Sequence, residues 1–176
     1  MKTKVMITIL IFSVFFGIST VQADIVWTEG YHQYGTGDSH EHVRIYNDVR
    51  LDIDGGGIGY LHTYNTTLTN WYNGQISYLL TNDNSIINVY GGKLWTGLGA
   101  GDNSLINLFA HDVIITHTGG YWDIGQVKGT YNLNNQPFIF DLWGSNTYTH
   151  INIVPEPTTF FLIGIGCLLL RWKKYN

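Results

Sequence analysis

The chain has little of what usually cross-links a small domain. Cysteine occurs once in 176 residues, at Cys167 near the C terminus, and proline occurs only three times. A single cysteine excludes an intrachain disulfide. The apolar neighbours of Cys167 favour a plain packing role for its side chain. The rest of the chain must therefore be stabilised by packing and hydrogen bonds alone.

Positive charge is scarce outside the two termini. All 13 acidic residues lie between positions 24 and 157, whereas only four of the nine Lys and Arg do (Arg44, Arg50, Lys93 and Lys128). This central part, which we call the body, thus has a formal charge near −9. So acidic a body excludes nucleic acid and anionic lipid as electrostatic partners.

Long hydrophobic runs occur only at the two ends. The first 23 residues start with Lys2 and Lys4, continue with "VMITILIFSVFFGI" and end in "STVQA". A basic start, an apolar middle and small residues at the exit predict a signal peptide over 1–23, cleaved between Ala23 and Asp24. A permanent anchor helix is the alternative, but the run is shorter than the ~20 residues of a comfortable membrane span.

The C-terminal run is shorter still. Fifteen residues from Thr158 to Trp172 would reach roughly 22 Å as a helix, against a hydrocarbon core of about 30 Å. Arg171, Lys173 and Lys174 follow as a basic stop and would hold this end in the cytoplasm. Such a run predicts a short transmembrane helix that is too weak to serve as a lasting anchor.

The residues before this run are typical of a peptide that a protease reads. Pro155 and Pro157 lack backbone N–H groups and bias the residue before each toward an extended conformation, so Glu156 is expected to lie in an unpaired segment. The whole tail, "VPEPTTFFLIGIGCLLLRWKK", resembles the PEP-CTERM sorting tail of Gram-negative bacteria, also labelled "ice-binding protein C-terminal". Its sorting motif corresponds to Val154, Pro155, Glu156 and Pro157, and an unbroken arginine-rich end is more usual than the present one.

This resemblance implies a route and a set of partners. The Sec translocon and signal peptidase would export the chain, and an exosortase in the inner membrane would then recognise the tail. The precursor would be tethered to the inner membrane before delivery to the cell surface or the extracellular polysaccharide matrix. The resemblance covers about twenty residues and implies nothing about the chemistry of the body.

The middle of the chain repeats with a period of 18 or 19 residues. Ile58, Ile76, Leu94 and Val113 are separated by 18, 18 and 19 positions, and Leu61, Leu79 and Leu98 by 18 and 19. A further series runs through Asn47, Asn65, Asn84 and Asn103, with short alternating stretches such as Ile87-x-Val89 after most of its members. In the Asn65 unit, Leu68 is in phase but Asn70 occupies an expected hydrophobic position. Alternation between turn-forming residues indicates strands, and a constant period indicates stacked coils.

We therefore predict an all-β fold: a short right-handed parallel β-solenoid of three to four coils, each of 18–19 residues. The stretch after Thr118 also looks like the terminal segment of β-helical exported PEP-CTERM proteins and predicts antiparallel strands near 125–132, 137–142 and 148–153. The predicted organisation is a signal peptide (1–23), an N-terminal loop or cap (24–46), solenoid coils (47–118), an antiparallel β cap (119–153) and the sorting tail (154–176).

No constellation in the body predicts catalysis or a cofactor. The best metal candidate is "GDSHEHV", in which His40 and His42 would share a face if the segment were a strand, but its glycines favour a loop. Asp52-Ile53-Asp54-Gly55 lacks the distal glutamate of a calcium loop. Stacked turns could align Asp83 with Asp102, although corner carboxylates are usually only solvated. We predict a non-enzymatic protein with no cofactor and no bound metal.

The aromatic residues suggest the alternative function. The body is rich in Tyr and Trp, most of which should fill the core or cover the ends. A line of them on one outer face would offer stacking platforms for sugar rings, which would make the body a carbohydrate-binding module. An ice-binding face would need a regular threonine array, and Thr63 and Thr81 are followed by Ala100 instead. The leading prediction is thus a structural, biofilm-associated surface protein, with exopolysaccharide as a further candidate partner.

Overall fold

The computed structural model describes residues 24–117, 125–144 and 146–155. The predicted signal peptide and the tail from Glu156 onward lie outside this part of the chain. Within it, no helix is long and hydrophobic enough to cross a membrane. The described residues form eleven β-strands and one short 3₁₀ helix, Thr147–His150. The strands are β1 (Ile25–Trp27), β2 (Tyr31–Gly35), β3 (Ser39–Ile45), β4 (Arg50–Thr63), β5 (Leu68–Thr81), β6 (Ile86–Val89), β7 (Lys93–Ala100), β8 (Leu105–Thr116), β9 (Gly125–Tyr131), β10 (Pro137–Trp143) and β11 (Ile151–Val154).

The strands wind into a β-solenoid of about five turns. Each turn has two straight segments, which stack into two faces around one core. Face A consists of β2, the first halves of β4, β5 and β8, and the strands β6 and β11. Face B consists of β1, β3, the second halves of β4 and β5, then β7 and β10. All pairs within these two stacks are parallel.

The solenoid begins earlier than the sequence predicts. The segment 24–46, expected as a loop or cap, contains β1, β2 and β3, which pair in parallel with later strands. Val43 and Ile45 are fully buried there. The prediction was wrong because these strands are short, polar and interrupted by glycine, so their alternation is hard to recognise. The additional turn explains why three to four coils is an underestimate.

The predicted aliphatic columns lie inside the solenoid. Ile58, Ile76 and Leu94 are opposite one another in consecutive turns, and Leu61, Leu79 and Leu98 form a second column. All six are buried. Stacking of like residues about 4.8 Å apart makes one continuous apolar core. These parts of the prediction are confirmed.

Val113 does not extend the first column. The second half of β8 leaves the stack and pairs with β9 in antiparallel fashion, and β9 pairs in the same way with β10. β10 then lies parallel to β7, with Leu142 opposite Leu98. A distant part of the chain thereby completes face B, which a local repeat cannot indicate.

The turn that contains Asn65 is regular rather than irregular. Its inward residues are Thr69 and Trp71, both fully buried, opposite Ile87 and Val89 of the next turn. Leu68 and Asn70 point outward. The sequence analysis placed the phase one residue off, because a threonine and a tryptophan replace aliphatic residues at the two core positions.

The asparagine series is also shifted by one residue at its start. Asn65 lies opposite Asp83 rather than next to Asn84, since Thr63 pairs with Thr81 and Leu68 with Ile86. Asn47, Asn65, Asp83 and Asp102 have φ values of 58°, 59°, 57° and 56°. Asn and Asp tolerate this left-handed conformation better than other side chains. The turn role predicted for the corner asparagines is therefore confirmed.

The C-terminal cap is only partly as predicted. β9 and β10 are antiparallel and close to the expected ranges, but the third strand, β11, belongs to the parallel stack of face A and pairs with β8. The 3₁₀ helix between β10 and β11 carries the chain from face B to face A. The predicted boundary at 154 consequently falls on the last residue of β11.

Buried threonine hydroxyls stabilise one corner of the core. Thr63, Thr81 and Ser85 are fully buried, and the Oγ1 of Thr81 lies 2.9 Å from that of Thr63 and 2.6 Å from the Oγ of Ser85. These threonines point inward and cannot belong to a flat external threonine array.

We expect Thr81→Val to lower the free energy of unfolding by about 1–2 kcal/mol, because it leaves buried hydroxyls without one of their partners. Urea denaturation of this variant, compared with Thr96→Val at an exposed position, measures the difference. Equal midpoints for the two variants would show that the hydroxyl network contributes nothing.

Candidate functional site

A row of aromatic side chains runs along the outside of face B. In each strand the inward residue is aliphatic, as at Val43, Leu61 and Leu79, so the residue before it points outward. We call the outward residues His42, Tyr60, Tyr78 and Trp143 the aromatic strip. Their ring centroids are 4.9 Å apart for His42–Tyr60, 6.0 Å for Tyr60–Tyr78 and 5.6 Å for Tyr78–Trp143. The strip crosses four strands, which at about 4.8 Å each makes it roughly 14 Å long.

Trp143 lies over the backbone of Gly97. A Cβ atom built on Gly97 would come to 2.2 Å from the indole Nε1 and 2.3 Å from Cδ1. The indole thus occupies the space above the sheet that a side chain at 97 would need. Trp143 is nevertheless 50% exposed. The arrangement therefore supports the ring from beneath and leaves an aromatic surface open to solvent.

A shallow groove runs beside this ring. It has a volume of about 210 Å³ and is lined by Tyr60, Ser77, Tyr78, Thr96 and Trp143. Tyr60 is 43% exposed, so two aromatic residues and two hydroxyl-bearing residues face the same space. A sugar ring presents C–H groups on its faces and hydroxyls around its edge. The groove can therefore stack against a sugar while hydroxyls exchange hydrogen bonds at the rim.

One end of the strip is charged. The carboxylate of Asp24 lies 3.0 Å from Nδ1 of His42 and 3.1 Å from a guanidinium nitrogen of Arg44. Desolvation raises the pKa of Asp24, but the hydrogen bonds from Arg44 and His42 outweigh it and hold the pKa below its usual value. Asp24 stays ionised at neutral pH. The ion pairs leave this end without excess charge, and the groove beside Trp143 has no ionisable lining residue other than its tyrosines.

The other aromatic residues divide between core and surface. Tyr34, Trp71 and Tyr131 are buried, and burial raises the pKa of Tyr131 far above its usual value. Trp95 is 57% exposed, but the ammonium of Lys93 lies 3.3 Å from its ring centroid. Lys93 therefore covers part of that indole, which is a poorer platform than Trp143.

The histidine candidates for a metal site are not brought together. The segment "SHEHV" belongs to β3 rather than to a loop. His40 contacts the hydroxyl of Tyr34 at 3.1 Å, whereas His42 stacks on Tyr60 and pairs with Asp24. Desolvation, with a smaller contribution from Asp38, raises the pKa of Tyr34 to about 12. No group of three metal-ligating side chains occurs among the residues that the structure describes.

The carboxylate candidates serve the fold. Asp83 and Asp102 are aligned in consecutive corners, as the sequence analysis anticipated, and the backbone N–H of Asp83 donates to the Asp102 carboxylate at 3.3 Å. Asp52 accepts hydrogen bonds from Asn70 and from Tyr31 at 2.7 and 2.9 Å. Despite desolvation, these bonds and the nearby Arg50 lower the pKa of Asp52.

The predicted sorting residues lie largely outside the described chain. Asp24, at the predicted signal cleavage position, is the first described residue. Val154 ends β11, and Pro155 is the last described residue of the sorting motif. Ala23, Glu156, Pro157, Arg171, Lys173 and Lys174 fall outside the described ranges.

Comparison with protein-family models, with curated proteins and with solved structures found no match to this chain. The case for function therefore depends on the sequence motifs and on the geometry of the solenoid.

Sequence reasoning named Trp143 and Tyr60 only as members of a large aromatic set. Tyr60 and Tyr78 are 18 residues apart, which is the repeat period, so their alignment could have been found from the sequence. The position of Trp143 could not, because β10 is the strand that a distant part of the chain adds to face B.

Proposed function

We propose that this is a non-enzymatic exported protein, sorted by a PEP-CTERM tail to the bacterial cell surface or extracellular polysaccharide matrix. The observation that carries this proposal is the ordered set Val-Pro-Glu-Pro, short apolar run and basic end at positions 154–174. The signal peptide at the other terminus supports the same route. The Sec translocon, signal peptidase and an exosortase are the proposed partners of the precursor.

The fold supports a separate, self-contained body between the two signals. The core closes without the tail, since β11 stacks on β8 and ends at Val154. Pro155 follows immediately and cannot donate a backbone hydrogen bond. We propose a right-handed solenoid from which the tail leaves as an extended peptide, followed by a short helix, with a signal helix at the front end. Removal of both ends would release the body intact.

The proposed role of the body is to bind polysaccharide through the aromatic strip. The observation that favours it is the half-exposed indole of Trp143, supported on Gly97 beside the groove. Exopolysaccharide is abundant where the tail would deliver the protein. The body's charge near −9 disfavours a strongly anionic polymer, so neutral or weakly charged chains are the expected ligands.

Processing of the tail is the test of the sorting proposal. In cells that express a matching exosortase, mass spectrometry of surface material should find a form that lacks Phe160 onward. Glu156→Ala should leave the chain uncut in the membrane fraction, because the motif is then incomplete. Glu29→Ala, a change to an acidic residue of the body, should be processed normally.

Recovery of only the uncut membrane form of the unchanged chain would contradict the proposal. Equal processing of the Glu156 and Glu29 variants would show that cleavage does not depend on the motif.

A further inference from the structure

The outside of face A has an order of its own that the proposed function does not use. A ladder of amides runs along its centre: Asn70 donates to Asp52 at 2.7 Å, Asn88 to Asn70 at 2.8 Å, Asn107 to Asn88 at 2.8 Å and Asn152 to Asn107 at 2.9 Å. Each side-chain NH₂ donates to the turn before it. The ladder fixes the amide positions from β4 to β11 and makes the surface regular.

Apolar columns flank this ladder on both sides. On one side Leu68, Ile86 and Leu105 occupy equivalent positions in consecutive turns. On the other side Tyr72, Tyr90 and Phe109 stack with ring centroids 4.9 and 4.1 Å apart. The rings stack on one another, so they present their edges rather than their faces to solvent. This makes face A a poor platform for sugars and distinguishes it from the aromatic strip.

Charge is confined to one end of face A. The outward positions of β4 are Arg50, Asp52 and Asp54, but the outward residues of β5, β6, β8 and β11 are all uncharged: Leu68, Asn70, Tyr72, Ile86, Asn88, Tyr90, Leu105, Asn107, Phe109, Asn152 and Val154. A body with a charge near −9 repels a second copy of itself over most orientations. An approach through this uncharged area avoids much of that repulsion.

We propose that face A docks against face A of a second copy of this chain. A two-fold axis parallel to the solenoid axis would place the aliphatic column of one copy on the aromatic column of the other, and amide ladder against amide ladder. The surface is thus self-complementary, as a two-fold interface requires. The uncharged area is about 16 Å wide and about 20 Å tall, which is smaller than a standard stable interface. The dimer is consequently weak and depends on concentration.

The dimer has a consequence for polysaccharide binding, which rests on the proposed function. Faces A and B are on opposite sides of the core, so pairing through face A leaves both aromatic strips exposed on the two outer sides. Each dimer would then bridge two polysaccharide chains. Two weak sites in one particle also bind a polymer more tightly than one site does.

Cysteine cross-linking tests the interface directly in the full-length chain. In a Cys167→Ala background, Asn88→Cys places a single thiol on the two-fold axis, opposite its own copy. We expect a covalent dimer under oxidising conditions, on a non-reducing gel. The matched control is Thr96→Cys on face B, which should give several-fold less dimer. Comparable dimer from both thiols, or none from Asn88→Cys, would overturn the proposal.

A second variant avoids any dependence on the ladder itself. Ile86 is 37% exposed at the centre of the aliphatic column, so Ile86→Glu should remove most of the dimer in sedimentation velocity of the detergent-solubilised full-length chain, with the melting temperature unchanged. Ile139→Glu, at a 60% exposed position on β10, should leave the dimer intact. A dimer that survives Ile86→Glu would contradict docking through face A. Both experiments omit polysaccharide and exosortase, so they can fail without bearing on the proposed function.

Discussion

Replacing Trp143 by alanine is expected to weaken binding to the host's extracellular polysaccharide by about tenfold to a hundredfold. Exposed aromatic anchors of binding sites commonly contribute this much. The change removes the indole that lies over Gly97 and lines the groove. Because Trp143 is half-exposed, the free energy of unfolding should change far less than the binding. Affinity electrophoresis or co-sedimentation with purified polysaccharide measures the loss.

The control for this prediction is Trp95→Ala. Trp95 is exposed to a similar degree, at 57% against 50%, but lies outside the strip and should bind as the unchanged chain does. Gly97→Val is the complementary change, since it keeps Trp143 but pushes the indole off its support. It should lose binding as Trp143→Ala does. If Gly97→Val binds normally, the position of the ring is irrelevant and the strip is not a platform.

Trp71→Ala should be the most destabilising single change in the core. Trp71 is fully buried, and its indole lies directly beneath Gly92, where a Cβ atom would come to 2.3 Å from Nε1. Its Nε1 donates to the carbonyl of Asn73 at 2.9 Å. Removing such a side chain leaves a large cavity and costs about 3–5 kcal/mol. That is a large share of the 5–15 kcal/mol by which domains are usually stable.

Urea denaturation monitored by circular dichroism tests this expectation. Trp95→Ala again serves as the control and should change the free energy of unfolding by about 0.5 kcal/mol or less. If Trp71→Ala proves as stable as the control, then the turn containing Asn65 does not direct Trp71 into the core. The register of the whole solenoid would then be in doubt.

The sequence predicts those features of the fold that repeat within one period. Ile58, Ile76 and Leu94 could be aligned from their spacing alone, because aliphatic residues at a constant period have no other common explanation. The corner residues could be recognised for a similar reason, since Asn and Asp recur where the chain must turn. These positions follow from local chemistry.

Features that depend on substitutions within the repeat were harder to predict. Thr69 and Trp71 replace aliphatic residues at core positions, so the turn between Asn65 and Gly74 seemed irregular. Asn70 was interpreted as a disruption of the core, whereas it is a member of the amide ladder outside it. A phase error of one residue exchanges inward and outward side chains in a strand.

The candidate site depends on contacts between distant parts of the chain. Trp143 reaches Gly97 only because the strands β8, β9 and β10 turn back and place β10 beside β7. The first turn of the solenoid was missed for a different reason, since β1 to β3 have few aliphatic residues. Neither feature carries a periodic signal.

Hydroxyl-radical footprinting with and without polysaccharide tests the central claim most directly, namely that the body binds sugar polymers through the outside of face B. The account predicts that oxidation of Trp143 and Tyr60 falls sharply when polysaccharide is added, whereas oxidation of Trp95 and Tyr31, which are exposed outside the strip, stays the same. Protection of Trp95 or Tyr31 without protection of Trp143, or no protection anywhere, would contradict it.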